Sequence, residues 1–281
     1  MKFLVPILLF EIVISHNTIN EAIDNYLQDD PILIDYIKQN LLEPPPLYPE
    51  ALDDMNTSSE VHGVEDLASV LVGQYNQPPV IESLFTEGQQ RFFIEAGAYD
   101  GIMGSNTLRL ELSKEWKGLL VEPNPQLYEK VKSRGRNAWT LGSCFSMETS
   151  PQRVTFDAAD QVGGIVNTET GEKPGVECPE REDLQMQCVP FYSVVQALGS
   201  PRIDFLSLDI EGADLQVLMT IPFDKVNISV IMIEVAHLGE IFHGDNDMLR
   251  QFLHESGYIF YRRMSIDDIY VHQSFMTNKA F

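Results

Sequence analysis

The sequence predicts an α/β fold: a mostly parallel sheet with helices on both faces, closed by an antiparallel pair of strands at one edge. Three observations predict it. From residue 91 onward, short apolar strands alternate with helical stretches. The strands are near-continuous apolar runs, as buried parallel strands are, and alternation of this kind implies helices covering both faces. The polar residues of interest fall where those strands end, which is where open α/β sheets bind ligands.

The elements follow in order. Arg91–Ala96 reads as the first strand, closed by Gly97 and Gly101, with a helix from Ser105 to Lys114. Trp116–Glu122 is the second strand. Asn124 then caps a helix whose first position is Pro125, because Pro lacks only an N–H that the first turn leaves unused. That helix runs to Arg134 and Gly135 closes it. Ala138–Leu141 is the third strand. Residues 142–190 interrupt the alternation with a Gly-rich acidic insert holding short strands near Val154–Phe156 and Gln185–Val189. Phe191–Leu198 is helical, Ile203–Ile210 the fourth strand, and Gly212–Met219 the next helix. Ile228–Val235 is the most apolar strand. A helix capped by Asp245 or Asn246 runs to Glu255, and Tyr258–Met264 with Asp268–His272 forms the closing pair.

The N-terminal part differs. Lys2 precedes the apolar run Phe3–Phe10, extended by Ile12–Ile14 and broken by Glu11. A span needs roughly 20 apolar residues, so residues 1–15 read as a cleaved signal peptide with Ser15 near the cut. An uncleaved signal anchor and a buried helix stay open. Residues 16–88 read as a helical extension and linker, and 89–281 as the α/β domain. In the extension, Asp30 suits an N-cap, Pro31 the first turn, and Leu33, Tyr36, Ile37 and Leu41 share one face. Pro44, Pro45 and Pro46 end that helix. Residues 44–63 read as linker, and Glu65–Gly73 as a short helix.

Composition narrows the function. The 281 residues carry 42 acids against 19 bases, a net charge of −23. Nucleic acid binding led by phosphate contacts needs clustered Lys and Arg and is excluded. Membrane contact is expected only through an uncleaved N-terminal segment. Cys144, Cys178 and Cys188 allow one disulfide in any of three pairings. No CxxC or Cys/His cluster occurs, so no zinc or other metal centre is assigned. Sequons stand at Asn56 in the linker and at Asn227, where an apolar run makes a chance match the better reading.

The chemistry concentrates at strand ends. Glu95-Ala-Gly97-Ala98-Tyr-Asp100-Gly101 follows the first strand. Gly97 permits a tight turn, Gly101 lets backbone approach a ligand, and Glu95 is placed to take the ammonium of a bound amino acid. Glu122 ends the second strand and can accept both ribose hydroxyls, as carboxylates do in dinucleotide folds; capping the helix at Asn124 is its structural alternative. The Gly-x-Gly-x-x-Gly pyrophosphate turn is absent, since Tyr99 replaces the second glycine. S-adenosylmethionine has no pyrophosphate and fits better than a nicotinamide cofactor. Asp209 and Glu211 end the fourth strand two residues apart and so point the same way. They can orient a nucleophile, act as base or hold a cation; alternatively Glu211 caps the next helix. Glu234 and His237 at the fifth strand are the remaining acid–base candidates, against a surface hydrogen bond for the histidine.

Phe92–Gly101, Gly118–Pro125 and Ile203–Gly212 resemble the matching blocks of FkbM-type methyltransferases, most specifically through Asp204-Phe-Leu-Ser-Leu-Asp-Ile-Glu-Gly-Ala213. The resemblance covers about residues 90–273. Within that family the chain is most similar to arthropod Star-like proteins, through Asp29–Lys38, Pro44-Pro45, Ser105–Thr107, Val162–Ile165 and Gly239–Phe242. The resemblance implies a Rossmann-like methyltransferase fold with S-adenosylmethionine as donor, usually to a hydroxyl. Carried over by motif, Glu95, Gly97, Asp100, Gly101 and Glu122 hold the donor, while Asp209 and Glu211 stand at the reaction mouth; beyond the motif, Ala98 and Asn124 are expected beside the donor and His237 as a catalytic acid–base group. The acceptor is then a small molecule or glycan in the secretory pathway. The alternative is a non-catalytic Star-like module that binds secretory cargo and acts in vesicle-mediated transport from endoplasmic reticulum to Golgi and cell surface.

Overall fold

A computed structural model describes residues 23–47, 70–86, 89–174 and 182–277. The expected signal segment, Asn56, Cys178 and most of the linker lie outside these residues, as does all but the end of the helix expected over Glu65–Gly73. Among the described residues no helix is long and apolar enough to cross a membrane.

Eight strands form the main sheet. In sequence order they are β1 (Leu42–Glu43), β2 (Phe92–Ala96), β3 (Lys117–Val121), β4 (Ala138–Leu141), β8 (Ile203–Leu208), β9 (Ile228–Glu234), β10 (Tyr258–Met264) and β11 (Asp267–His272). A separate sheet holds β5 (Gln152–Asp157), β6 (Gly164–Ile165) and β7 (Asp183–Cys188). The spatial order is β1-β4-β3-β2-β8-β9-β11-β10. The run from β4 to β9 is parallel. β11 is antiparallel to both its neighbours, so the expected edge pair is present with β11 inserted between β9 and β10.

Helices cover both faces, and strand periodicity decides which side chain meets which. Ile94, Leu119, Leu206 and Ile231 point to one face. They pack against α1 (Pro31–Asn40), α5 (Phe191–Ala197), α6 (Asp214–Thr220) and α7 (Asn246–Glu255). Their neighbours Phe93, Leu120, Phe205 and Val230 point to the other face. There they meet α2 (Gln77–Ser83), α3 (Leu108–Lys114), α4 (Pro125–Ser133) and α8 (Gln273–Thr277). Gly118 is required on this face, because a Cβ there would stand 2.2 Å from the Phe93 ring.

The extension is built into this core. Asp30 caps α1 by accepting from Ile32 N at 2.8 Å. Leu33 and Ile37 are fully buried in the cluster shared with α5. β1 then pairs antiparallel with β4, Leu42 opposite Leu141, and becomes the sheet's edge.

The helix expected from Ser105 starts later, at Leu108. The Ser105 hydroxyl oxygen instead accepts from Thr107 N and Leu108 N, while residues 105–107 wrap a buried carboxylate. β8 stops at Leu208, and Asp209 N donates to Ala96 O at 3.2 Å. The insert after β4 carries the small sheet, ordered β6-β5-β7 and tied back by a disulfide between Cys144 and Cys188, whose Cα atoms are 4.4 Å apart.

Candidate active site

A cavity of about 510 Å³ opens at the C-terminal ends of β2, β3 and β8. The chain order reverses there, with β3 and β4 on one side of β2 and β8 and β9 on the other. Such switch points are where open α/β sheets take ligands, and the volume is that of a small-molecule site.

The turn after β2 forms one wall. Gly97 N and Ala98 N both donate to Val121 O, at 3.1 and 3.0 Å, which sets the turn directly against the end of β3. Gly97 lines the cavity with a φ of +82°. Glu122 lines it too, and its two carboxylate oxygens accept from Tyr99 N at 2.8 Å and Asn124 N at 2.9 Å. Burial pushes Glu122 up to about 8, against those two N–H donors. Each carboxylate oxygen has a further lone pair, so ribose hydroxyls can still be accepted. Asn124 caps α4 through its Oδ1, donates to Ala158 O at 3.3 Å, and also lines the cavity.

Four residues expected on the ligand have other neighbours. Glu95 points into the protein, where Ser105 Oγ (2.8 Å), Asn106 N (2.6 Å) and Thr107 Oγ1 (2.5 Å) donate to it and Arg136 stands 3.6 Å away. Its oxygens shape the loop before α3, and it does not line the cavity. Asp100 accepts from Ile102 N and Met103 N and pairs with Arg134. Gly101 faces α4, its carbonyl taken by Arg136. Ala98 is buried in the core. These four hold the turn's shape from behind, while Gly97 and Glu122 present it to the cavity.

The opposite wall comes from the ends of β8 and β9. Asp209 and Glu211 both line the cavity. Glu211 does not cap α6: it sits at a positive φ of 56° and its side chain turns toward His237. Asp214 stabilises that turn, accepting from Ile210 N at 3.2 Å and Gly212 N at 3.0 Å. Glu234, buried at the end of β9, also faces the cavity. His237 Nε2 lies 3.5 Å from Glu211 and 3.8 Å from Glu234, and its Nδ1 is 2.9 Å from Glu240. Burial, then repulsion from Asp214, Glu211 and other carboxylates, holds Asp209 well above the carboxylate range. Burial, then repulsion led by Asp209, pushes Glu234 up to about 10. Among the described residues no Lys or Arg pairs with these groups.

Sequence reasoning missed the third wall. Residues 159–165, the loop after β5 together with β6, line the cavity as well. Tyr99 reaches across to Asp160, its hydroxyl 3.3 Å from the carboxylate. The Gly163-Gly164 pair was the available signal: a Cβ at Gly163 would meet Ala159 O at 2.5 Å, and one at Gly164 would meet Pro174 at 2.7 Å.

A parallel sheet with an inserted antiparallel strand, and a carboxylate-bearing cavity at its switch point, define a methyltransferase-like α/β protein. The model of the methyltransferase FkbM domain matches residues 95–260, and the chain belongs to that family. No curated protein matches it. Among solved structures it is similar to a chain of a fibrillarin/Nop5p complex, with 10% identity, a TM-score of 0.39, and coverage of 72% of this chain and 81% of that one. It is similar also to a pericyclic reaction enzyme, with 11% identity, a TM-score of 0.33, and coverage of 69% and 47%. At such scores neither likeness bears on function.

Proposed function

We propose that the protein is an S-adenosylmethionine-dependent methyltransferase acting on a hydroxyl of a small-molecule or glycan acceptor in the secretory pathway. One observation carries this reading. Gly97 and Glu122, just past the ends of adjacent strands, face one cavity sized for a nucleoside ligand, with Leu127, Phe156 and Ile165 supplying apolar surface.

The donor set fits the cofactor. Glu122 would accept the ribose hydroxyls, the Gly97 turn would leave room for close backbone approach, and Asn124 would fix the loop beneath. S-adenosylmethionine supplies an electrophilic methyl group when bound. The protein's own part is positioning, because an in-line approach of the acceptor oxygen recovers much of the barrier. Asp209, which lines the cavity, would take the hydroxyl proton. The Cys144–Cys188 disulfide supports an oxidising compartment.

A second reading, a cargo-binding module without turnover, draws on the exposed Ile259, Phe260 and Tyr261 of edge strand β10. Calorimetric titration of the full-length protein with S-adenosylmethionine separates the two. Stoichiometric binding lost in Glu122→Ala, with folding checked by circular dichroism, supports the enzyme. A well-folded protein that gives no heat leaves the cargo reading ahead.

A further inference from the structure

We propose that Glu211, Glu234 and His237 form a binding site for one first-row divalent cation at the acceptor end of the cavity. One ligand atom from each lies within 4.8 Å of the others. Ligands about 2.1 Å from such an ion stand roughly 3–4 Å from one another. The 3.5 and 3.8 Å separations from His237 Nε2 therefore need only small adjustment.

Orphaned oxygens point the same way. Glu234 is 4% exposed, faces the cavity, and its Oε2 has no hydrogen-bond partner. Glu211 Oε2 is likewise buried without a hydrogen bond. Buried polar atoms are almost always paired, and two carboxylate oxygens without a hydrogen bond in one cluster are what a bound cation would satisfy. Neither carboxylate has a Lys or Arg within ion-pair distance among the described residues.

The histidine is oriented for the purpose. The tautomer that donates from Nδ1 to Glu240 at 2.9 Å leaves the Nε2 lone pair facing both carboxylates. Metal-binding histidines are commonly fixed by a carboxylate in this way. Glu211 meets the cluster from a positive φ, a conformation that costs about 1–3 kcal/mol in a non-glycine residue. Two carboxylates and one imidazole leave coordination positions open toward the cavity, and this donor set suits manganese, iron or zinc.

The cation's role rests on the methyl-transfer reading; its binding does not. It would hold the acceptor oxygen and make its O–H more acidic. The O–H bond breaks with its proton passing to Asp209, the oxygen lone pair forms the O–CH3 bond, and the S–CH3 electron pair stays on sulfur.

The test titrates the metal-stripped full-length protein with MnCl2, read by electron paramagnetic resonance, and separately with ZnCl2, read by calorimetry. One ion per chain is expected. Binding should weaken at least about 10-fold in Glu234→Gln and in His237→Ala, and by about 10-fold in Glu240→Gln through loss of the orienting contact. His237 is partly exposed, so its variant keeps the test available if Glu234→Gln does not fold. The proposal is overturned if the folded protein binds neither ion stoichiometrically, or if both variants bind as wild type does. Retained metal binding without S-adenosylmethionine binding would sink the methyl-transfer reading alone.

Discussion

The backbone carbonyl of Asp209 occupies the space that a β-carbon on Gly97 would need, 1.9 Å from where that atom would be built. The main chain just past the end of β2 therefore lies directly against that just past β8. A Gly97→Ala variant must separate the two strand ends and also place alanine at a φ of +82°. We expect a loss of about 3 kcal/mol or more, from overpacking and strain together, with cofactor affinity falling in parallel. Urea denaturation checks this, and a variant within about 0.5 kcal/mol of wild type would refute the contact.

Glu122 gives a pH signature. Burial raises its folded value to about 8 from an ordinary 4.5. The folded protein thus binds the proton more tightly than the unfolded chain, so stability falls as pH rises between those values. The cofactor-free melting temperature should decline from pH 5 to 8, and less steeply in Glu122→Gln. Cofactor affinity should run the other way, rising with pH, because ionised Glu122 is the better acceptor for ribose hydroxyls. Superimposable slopes for wild type and variant would show that another group controls both.

Glu95 is predicted to matter for folding rather than for ligand contact. Removing it strips Arg136, 2% exposed, of one of its two carboxylate neighbours, the other being Glu111 at 2.9 Å. Breaking such a buried ionic cluster typically costs about 3–5 kcal/mol. Glu95→Ala should destabilise by that order in thermal melts. Near-normal stability with abolished cofactor binding would instead return Glu95 to the ligand.

Asp214 holds the strained turn at Glu211 through two backbone N–H groups. Asp214→Ala leaves both donors without it, at a cost of about 2–4 kcal/mol for charge-assisted bonds. Hydrogen exchange should show Ile210 and Gly212 amides opening faster, with amides of β4 unchanged. Uniform acceleration across the sheet would mean global destabilisation only.

The Cys144–Cys188 bond closes 44 residues around the small sheet. Its removal in Cys144→Ser should cost about 2–4 kcal/mol. Because Cys144 also lines the cavity, cofactor affinity should weaken together with melting temperature. An unchanged affinity would separate the insert from the site.

The sequence shows the alternation because many of the apolar runs begin or end at Gly, Pro or Asn, as at Gly97, Asn137, Asn227 and Gly257. Asn124 and Asp245 were readable as caps for the same local reason. β1 was not, since two residues have no period. α2 was hidden by Pro78-Pro79, which suit a first turn but read as loop. Glu95 and Glu122 look alike at strand ends. Which one faces a ligand depends on the path of residues 105–107, a non-local matter that no spacing encodes. Asp209, Glu211, Glu234 and His237 could be proposed singly, but only strand order brings β8 beside β9 and gathers them.

Because α1 and β1 complete the layer over β4 and α5, this early segment waits for much later ones before its structure closes. As the chain leaves the ribosome, residues 31–43 precede β4 by about 95 positions and α5 by about 150. At roughly 5–20 residues per second, Leu33, Ile37 and Leu42 stay uncovered for many seconds of synthesis. Nascent chains should therefore depend on holding chaperones early, and variants trimmed of these residues should leave a sticky face that nothing downstream can cover.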